Sequence, residues 1–117
     1  MSKPVLYMLN TLYDAPDQGS FYWSACGIVE GFFIYNPKIK EQVDIIHVDF
    51  QRPRPEIIEQ LGEENRGSPV LVLPDDSFSF DRIKKSMTTG KAFIDDSLSI
   101  CNFLAQTYNG ILPHPQD

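Results

Sequence analysis

The sequence predicts an α/β domain built on a mixed sheet, and three observations carry that expectation. Short β-rich or fully apolar runs alternate with segments of helical spacing: PVLYMLN (4–10), VDIIHVDF (43–50), VLVL (70–73) and KAFID (91–95) are the strand candidates. The first two are each followed by a helical segment, and such long crossovers imply parallel pairing with right-handed connections. No repeat or compositional break divides the 117 residues, so a single domain over 1–117 with its own core is expected.

The elements follow in order. PVLYMLN is an apolar run before turn-formers and reads as a buried strand, and TLYDAPDQGS (11–20), with Asp, Pro, Gly and Ser, reads as a loop. From Phe21 to about Tyr35 apolar residues are dense, with Cys26, Val29 and Phe33 on one helical face. Pro37 biases Asn36 away from helix, so this first helix should stop near Tyr35. VDIIHVDF is rich in β-branched residues and forms the second strand. Pro55 suits a first helical position, Ile57, Ile58 and Leu61 make an apolar stripe, and Gly62 suits a C-terminal cap, which places the second helix at 55–61. VLVL is the third strand. The hydrophilic excursion 74–90 fits either a strand pair or a short helical turn, and KAFID is the fourth strand, at or near an edge and able to pair antiparallel with the third. Asp96 caps the last helix, which carries Leu98, Ile100, Cys101, Leu104 and Ala105 and stops at Asn109-Gly110. The tail ILPHPQD, with two prolines, should be extended.

Composition narrows the function. Apolar residues make up 42% and charged residues 22%, which is globular and not disordered. A net charge of −6 opposes non-specific nucleic-acid binding, which depends on Lys and Arg displacing phosphate counterions. Arg82, Lys84, Lys85 and Lys91 form a local basic loop, read first as a solvated surface and second as an anion site. No run approaches the roughly 20 apolar residues of a membrane span, and the start MSKPVLYMLNTLYDA lacks a signal-peptide pattern, so a cytoplasmic location is expected. Cys26 and Cys101 make no zinc spacing with His47 and His114, so no metal is expected, and a structural disulfide does not suit a reducing compartment.

The element order, together with WSAC (23–26), GSPVLVL (67–73) and FIDDSLSICNFL (93–104), resembles the thioredoxin-like fold. More closely, it resembles the amino-terminal domain of glutathione transferases, the glutaredoxins, and a small bacterial family of uncharacterised thioredoxin-like proteins in which Cys-x-x-Cys often stands here. The resemblance covers nearly the whole chain. It implies βαβαββα order, a mixed four-stranded sheet and helices on both faces. It does not extend to the helical second domain of the transferases, which is not expected in a chain ending at Asp117.

The resemblance also implies site residues. Ser68-Pro69 would carry a cis bond, with the Ser68 backbone free to pair with an extended thiol peptide such as glutathione. Asp96-Ser97 would hold the γ-glutamyl end of glutathione, although a helix cap explains the same residues without a ligand. Trp23 stands where a dithiol motif has its attacking cysteine and Cys26 where it has the resolving one, so dithiol exchange through Trp23-Ser24-Ala25-Cys26 is excluded.

Three readings stay open for Cys26. A helix beginning at Ser24 would put it in the first turn as an activated single thiol, a helix beginning near Ser20 or Phe21 would bury it, and the third reading is a vestige without chemistry. Trp23 is either a lid over the pocket or a core aromatic, and Tyr22 or Ser24 could offer a hydroxyl to a bound thiolate. Two functions follow. One is a thiol- or glutathione-binding protein, at most a monothiol glutathione-dependent oxidoreductase through Cys26. The other is a non-catalytic protein-interaction module on the same scaffold, using the aromatic edge Phe21-Tyr22-Trp23.

Overall fold

The computed structural model describes residues 3–10, 13–15, 19–49, 54–65 and 67–113, with backbone alone at 13–15 and 19–21. In chain order the elements are strand β1 (Val5–Leu9), strands β2 (Tyr13–Ala15) and β3 (Gly19–Phe21), helix α1 (Ser24–Tyr35), a single turn α2 (Pro37–Lys40), strand β4 (Asp44–Val48), helix α3 (Pro55–Leu61), a 3₁₀ turn (Glu63–Asn65), strands β5 (Val70–Val72), β6 (Lys84–Lys85) and β7 (Ala92–Ile94), and helix α4 (Ser97–Tyr108).

Five strands form one mixed sheet in the order β4-β1-β5-β7-β6. β1 runs parallel to β4, with Val5 opposite Asp44 and Leu9 opposite Val48. On its other side it runs antiparallel to β5, with Val5 opposite Val72 and Tyr7 opposite Val70. β7 lies antiparallel to β5, and β6 antiparallel to β7. Side chains alternate across a strand, yet Leu6, Tyr7, Met8 and Leu9 are all buried, as are all three residues of β5 and of β7. Both faces of the sheet centre are therefore covered. α1 and α4 pack together, while Tyr7 feels the carboxylates of Glu59 and Glu56 on α3.

The expected elements are present; the single turn α2 (Pro37–Lys40) is an additional helix, and three further differences concern the sheet and α1. The sheet has five strands instead of four, because Lys84–Lys85, inside the hydrophilic excursion, pairs with Phe93 and Ala92. Two exposed lysines give no apolar signal, and their charge suits a sheet edge. The segment expected as loop 11–20 holds a separate two-stranded antiparallel pair, Tyr13 opposite Phe21 and Ala15 opposite Gly19. Loop-forming composition marks a chain reversal and does not exclude short pairing strands on either side. The pairing of β3 delays α1, which starts at Ser24 and not near Phe21. Elsewhere in the excursion, the alternate residues Phe78 and Phe80 each meet Phe103 edge-on at 5.5 Å and tie the segment to α4.

The terminators act as their chemistry requires. Pro55 is the first residue of α3, and Gly62, at φ +85°, ends it with its N–H on the Ile58 carbonyl at 2.8 Å. Asp96 caps α4, and Asn109 closes it in the left-handed region at φ 58°. Pro37 begins α2 directly after Asn36, so α1 stops at Tyr35. The last four residues, including His114, lie outside the described residues.

Asn36 is buried and joins the far end of α1 to the segment after α4. Its Nδ2 donates to the carbonyls of Phe32 (3.1 Å) and Ile111 (3.3 Å), and its Oδ1 accepts from the Ile111 N–H (2.7 Å). Gly110 permits this approach, since a Cβ there would stand 2.7 Å from Asn36 Oδ1. Replacing the amide leaves main-chain groups of a packed junction without partners. Asn36→Ala is expected to lower stability by about 1–3 kcal/mol, seen as a lower urea midpoint at unchanged slope.

Candidate functional site

The residues singled out by sequence gather at one end of the sheet, where β1 ends and α1 begins. Because Tyr7 lies opposite Val70, the chain entering β5 at Ser68-Pro69 passes the end of β1. Leu71 lies opposite Ile94, so the exit from β7 to Asp96 and Ser97 falls at that same end, two strands across. The Ser68–Pro69 peptide bond is cis.

Ser68 and Cys26, 42 positions apart, meet with Oγ and Sγ at 3.8 Å. The Ser68 hydroxyl also donates to the Tyr7 carbonyl at 2.9 Å. In the contact with Cys26 either the Ser68 O–H or the Cys26 S–H can be the donor. Cys26 is the third residue of α1, in the turn whose N–H groups lack intrahelical partners, and it is only 6% exposed. Two of the open readings are thus met together: the helix starts late, as activation would require, and the thiol is buried all the same.

Burial decides its acidity. Loss of water pushes the Cys26 thiol above its ordinary value of 9.0, and the Glu30 charge pushes the same way. A backbone hydrogen bond at Leu9, the Ser68 hydroxyl and the Arg54 charge pull it down without cancelling the rise. The resting group at neutral pH is a thiol. Cys101, on α4, is driven further, to about 12, by burial first and the Asp96 charge second. Both cysteines are free.

A cavity of about 310 Å³ opens over Cys26, lined by Leu9, Asn10, Tyr22, Trp23, Gly27 and Glu30. Trp23 is the residue before α1, 41% exposed, and its side chain gives no capping hydrogen bond to the helix. It therefore stands at the rim and not in the core. Tyr22 is beside it and exposed, Ser24 is exposed, and the Phe21 side chain lies outside the described residues. Asp96 and Ser97 do not line this cavity. Asp96 Oδ2 accepts from Ser99 N and Ser99 Oγ, both at 2.9 Å, which is a helix cap, and it borders a separate cavity of about 260 Å³ with Arg82 and Lys84.

Sequence reasoning missed Glu30, Asn10 and Arg54. Glu30 carried a usable signal, since it follows Cys26 by four residues on the same helix and so shares its face. Asn10 and Arg54 carried none, because they reach the site only through the folded sheet. The basic loop is engaged locally: Lys84 pairs with Asp95 at 3.1 Å, Lys85 with Asp76 at 3.3 Å, and Lys91 bonds Gln60. Among the described residues no group of three or more His, Cys, Asp or Glu is placed to hold a metal ion, and no helix is long and apolar enough to cross a membrane.

Residues 3–111 match the sequence model of a family described as protein of unknown function (DUF3088), and the chain belongs to that family. No curated protein and no solved structure matches it.

Two outcomes follow from the thiols. At pH 8, iodoacetamide should alkylate both cysteines at least about tenfold more slowly in the folded chain than in urea, with Cys101 the slower, as site-resolved mass spectrometry would read. Both thiol pKa values rise on folding, so the unfolded thiols lose their protons first as pH climbs past 9.0. Stability is then fully present below that value and declines toward about 12. Urea midpoints should fall with pH on that limb, and Cys101→Ala should flatten the fall, leaving the part due to Cys26 and to Tyr7 and Tyr108, whose phenols are also raised by burial.

Proposed function

We propose that this chain is a thioredoxin-like protein that binds a thiol peptide, with glutathione as the reference ligand, at the sheet end where Ser68-Pro69 faces Cys26, without dithiol exchange. The observation that carries the proposal is the meeting of Ser68 Oγ and Cys26 Sγ at 3.8 Å beside the end of β1. The pairing supports the fold assignment: β4-β1-β5-β7 has its first pair parallel and the next two antiparallel, with α1 and α3 as crossovers and α4 last. On this assignment β6 and the β2–β3 pair are additions to the four-stranded core.

The roles follow from position. The Ser68 backbone pairs with the extended ligand as an added strand would. Asp96 and Ser97, at the same sheet end, face the ligand's amino-acid terminus, with the first-turn N–H groups of α4 drawing a carboxylate. Cys26 supplies a thiol held protonated, which suits recognition better than attack. A monothiol reaction, in which the Cys26 thiolate attacks oxidised glutathione, leaves a mixed disulfide on Cys26 and releases one glutathione thiolate, is the most this site can perform. A cytoplasmic location accords with the reading.

The second reading, a non-catalytic module that binds a protein partner, is favoured by one observation: Tyr22 and Trp23 stand 70% and 41% exposed at the mouth of the site. Reduced glutathione at millimolar concentration should shift the amide resonances of Ser68, Ser97 and Cys26 and few others. Unchanged spectra would remove the thiol-peptide reading. A reductase activity lost in Cys26→Ser would instead remove the non-catalytic module.

A further inference from the structure

We propose that the cavity over the start of α1 binds a small organic ammonium ion with an apolar body, its charge at Glu30 and its body against Leu9, Tyr22 and Trp23. This does not rest on thiol recognition, because it uses the α1 side of the site and not Ser68-Pro69.

The cavity, about 310 Å³, is at the lower end of the range for small-molecule pockets and suits one ring with a short chain. Its inner wall is apolar: Leu9 is buried, and Gly27 offers only backbone. The Tyr22 ring lies against that backbone, 3.3 Å from where a Cβ of residue 27 would stand, and so forms a fixed wall. Trp23 lines the same opening.

The charge selects the ligand. Among the described residues lining the cavity, Glu30 alone is charged. His47 Nε2 stands 3.9 Å from Glu30 Oε2, too far for a hydrogen bond. At the Cys26 thiol the Arg54 charge acts against that of Glu30 and is the weaker of the two. Among the described lining residues the formal charge is therefore negative. An ammonium group here gains a carboxylate partner and two aromatic faces, whereas a carboxylate ligand meets a like charge. The overall charge of −6 favours cations at long range as well.

Trp23 is the one tryptophan of the chain, so its fluorescence reports occupancy directly. Three probes of similar shape separate charge from size: 2-phenylethylammonium, 2-phenylethanol and 3-phenylpropionate. The amine should give a saturable change in emission, the alcohol should bind roughly fivefold more weakly, and the carboxylate should give no saturable change. Glu30→Gln, with its fold checked by circular dichroism, should weaken the amine to the level of the alcohol and leave the alcohol unchanged. Equal affinity for all three probes, no saturable response to the amine, or amine binding unaffected in Glu30→Gln would each overturn the proposal. Amide shifts at Ser68 and Ser97 on adding glutathione, with no saturable response to the amine, would mark failure of this proposal alone; amine binding without any response to glutathione would leave it standing and remove only the thiol-peptide reading.

Discussion

The structure depends on one strand being enclosed from every direction. β1 has hydrogen-bonded neighbours on both edges and buried side chains on both faces, so it has no solvent contact to spare. Its backbone polar groups must be satisfied within the sheet, and its side chains must be covered by helices. Covering both faces requires connections that leave the sheet and return, and α1 and α3 lie within those connections. The site lies where the β1–β5 ladder ends, at Tyr7 opposite Val70, and there the Ser68 hydroxyl donates to the Tyr7 carbonyl.

That junction sets two influences against each other at Cys26. Position in the first turn of a helix favours a thiolate, and enclosure favours a thiol. Enclosure prevails because Cys26 packs beneath the rim and Glu30 adds negative charge one turn further along the helix. The same carboxylate thus depresses nucleophilicity and shapes the electrostatics of the cavity above.

Much of the fold was legible because its boundaries are written in residues with restricted backbones. Pro55 and Gly62 fix α3 at both ends, Asn36-Pro37 ends α1, and Asp96 opens α4. The β2–β3 pair was not legible, and 74–90 left a strand pair and a helical turn both open, since short strands of polar or charged residues have no apolar periodicity to read. For the site, Cys26 with Ser68-Pro69 could be named in advance, but the approach of their side chains could not, because it depends on strand register across 42 residues. The cap at Asp96 was foreseen, whereas its separation from the Cys26 cavity emerges only in three dimensions.

The Asn36 clasp has a practical bearing on how this protein can be handled. It holds Ile111 against the last turn of α1, at the end of that helix opposite Cys26. Nine residues of α1 lie between Cys26 and Asn36, ten steps along the helix and a span of about 15 Å. A fluorophore, resin or fused domain tethered after Pro113 would therefore stand clear of the ligand cavity, and immobilisation from that side would leave its entrance open.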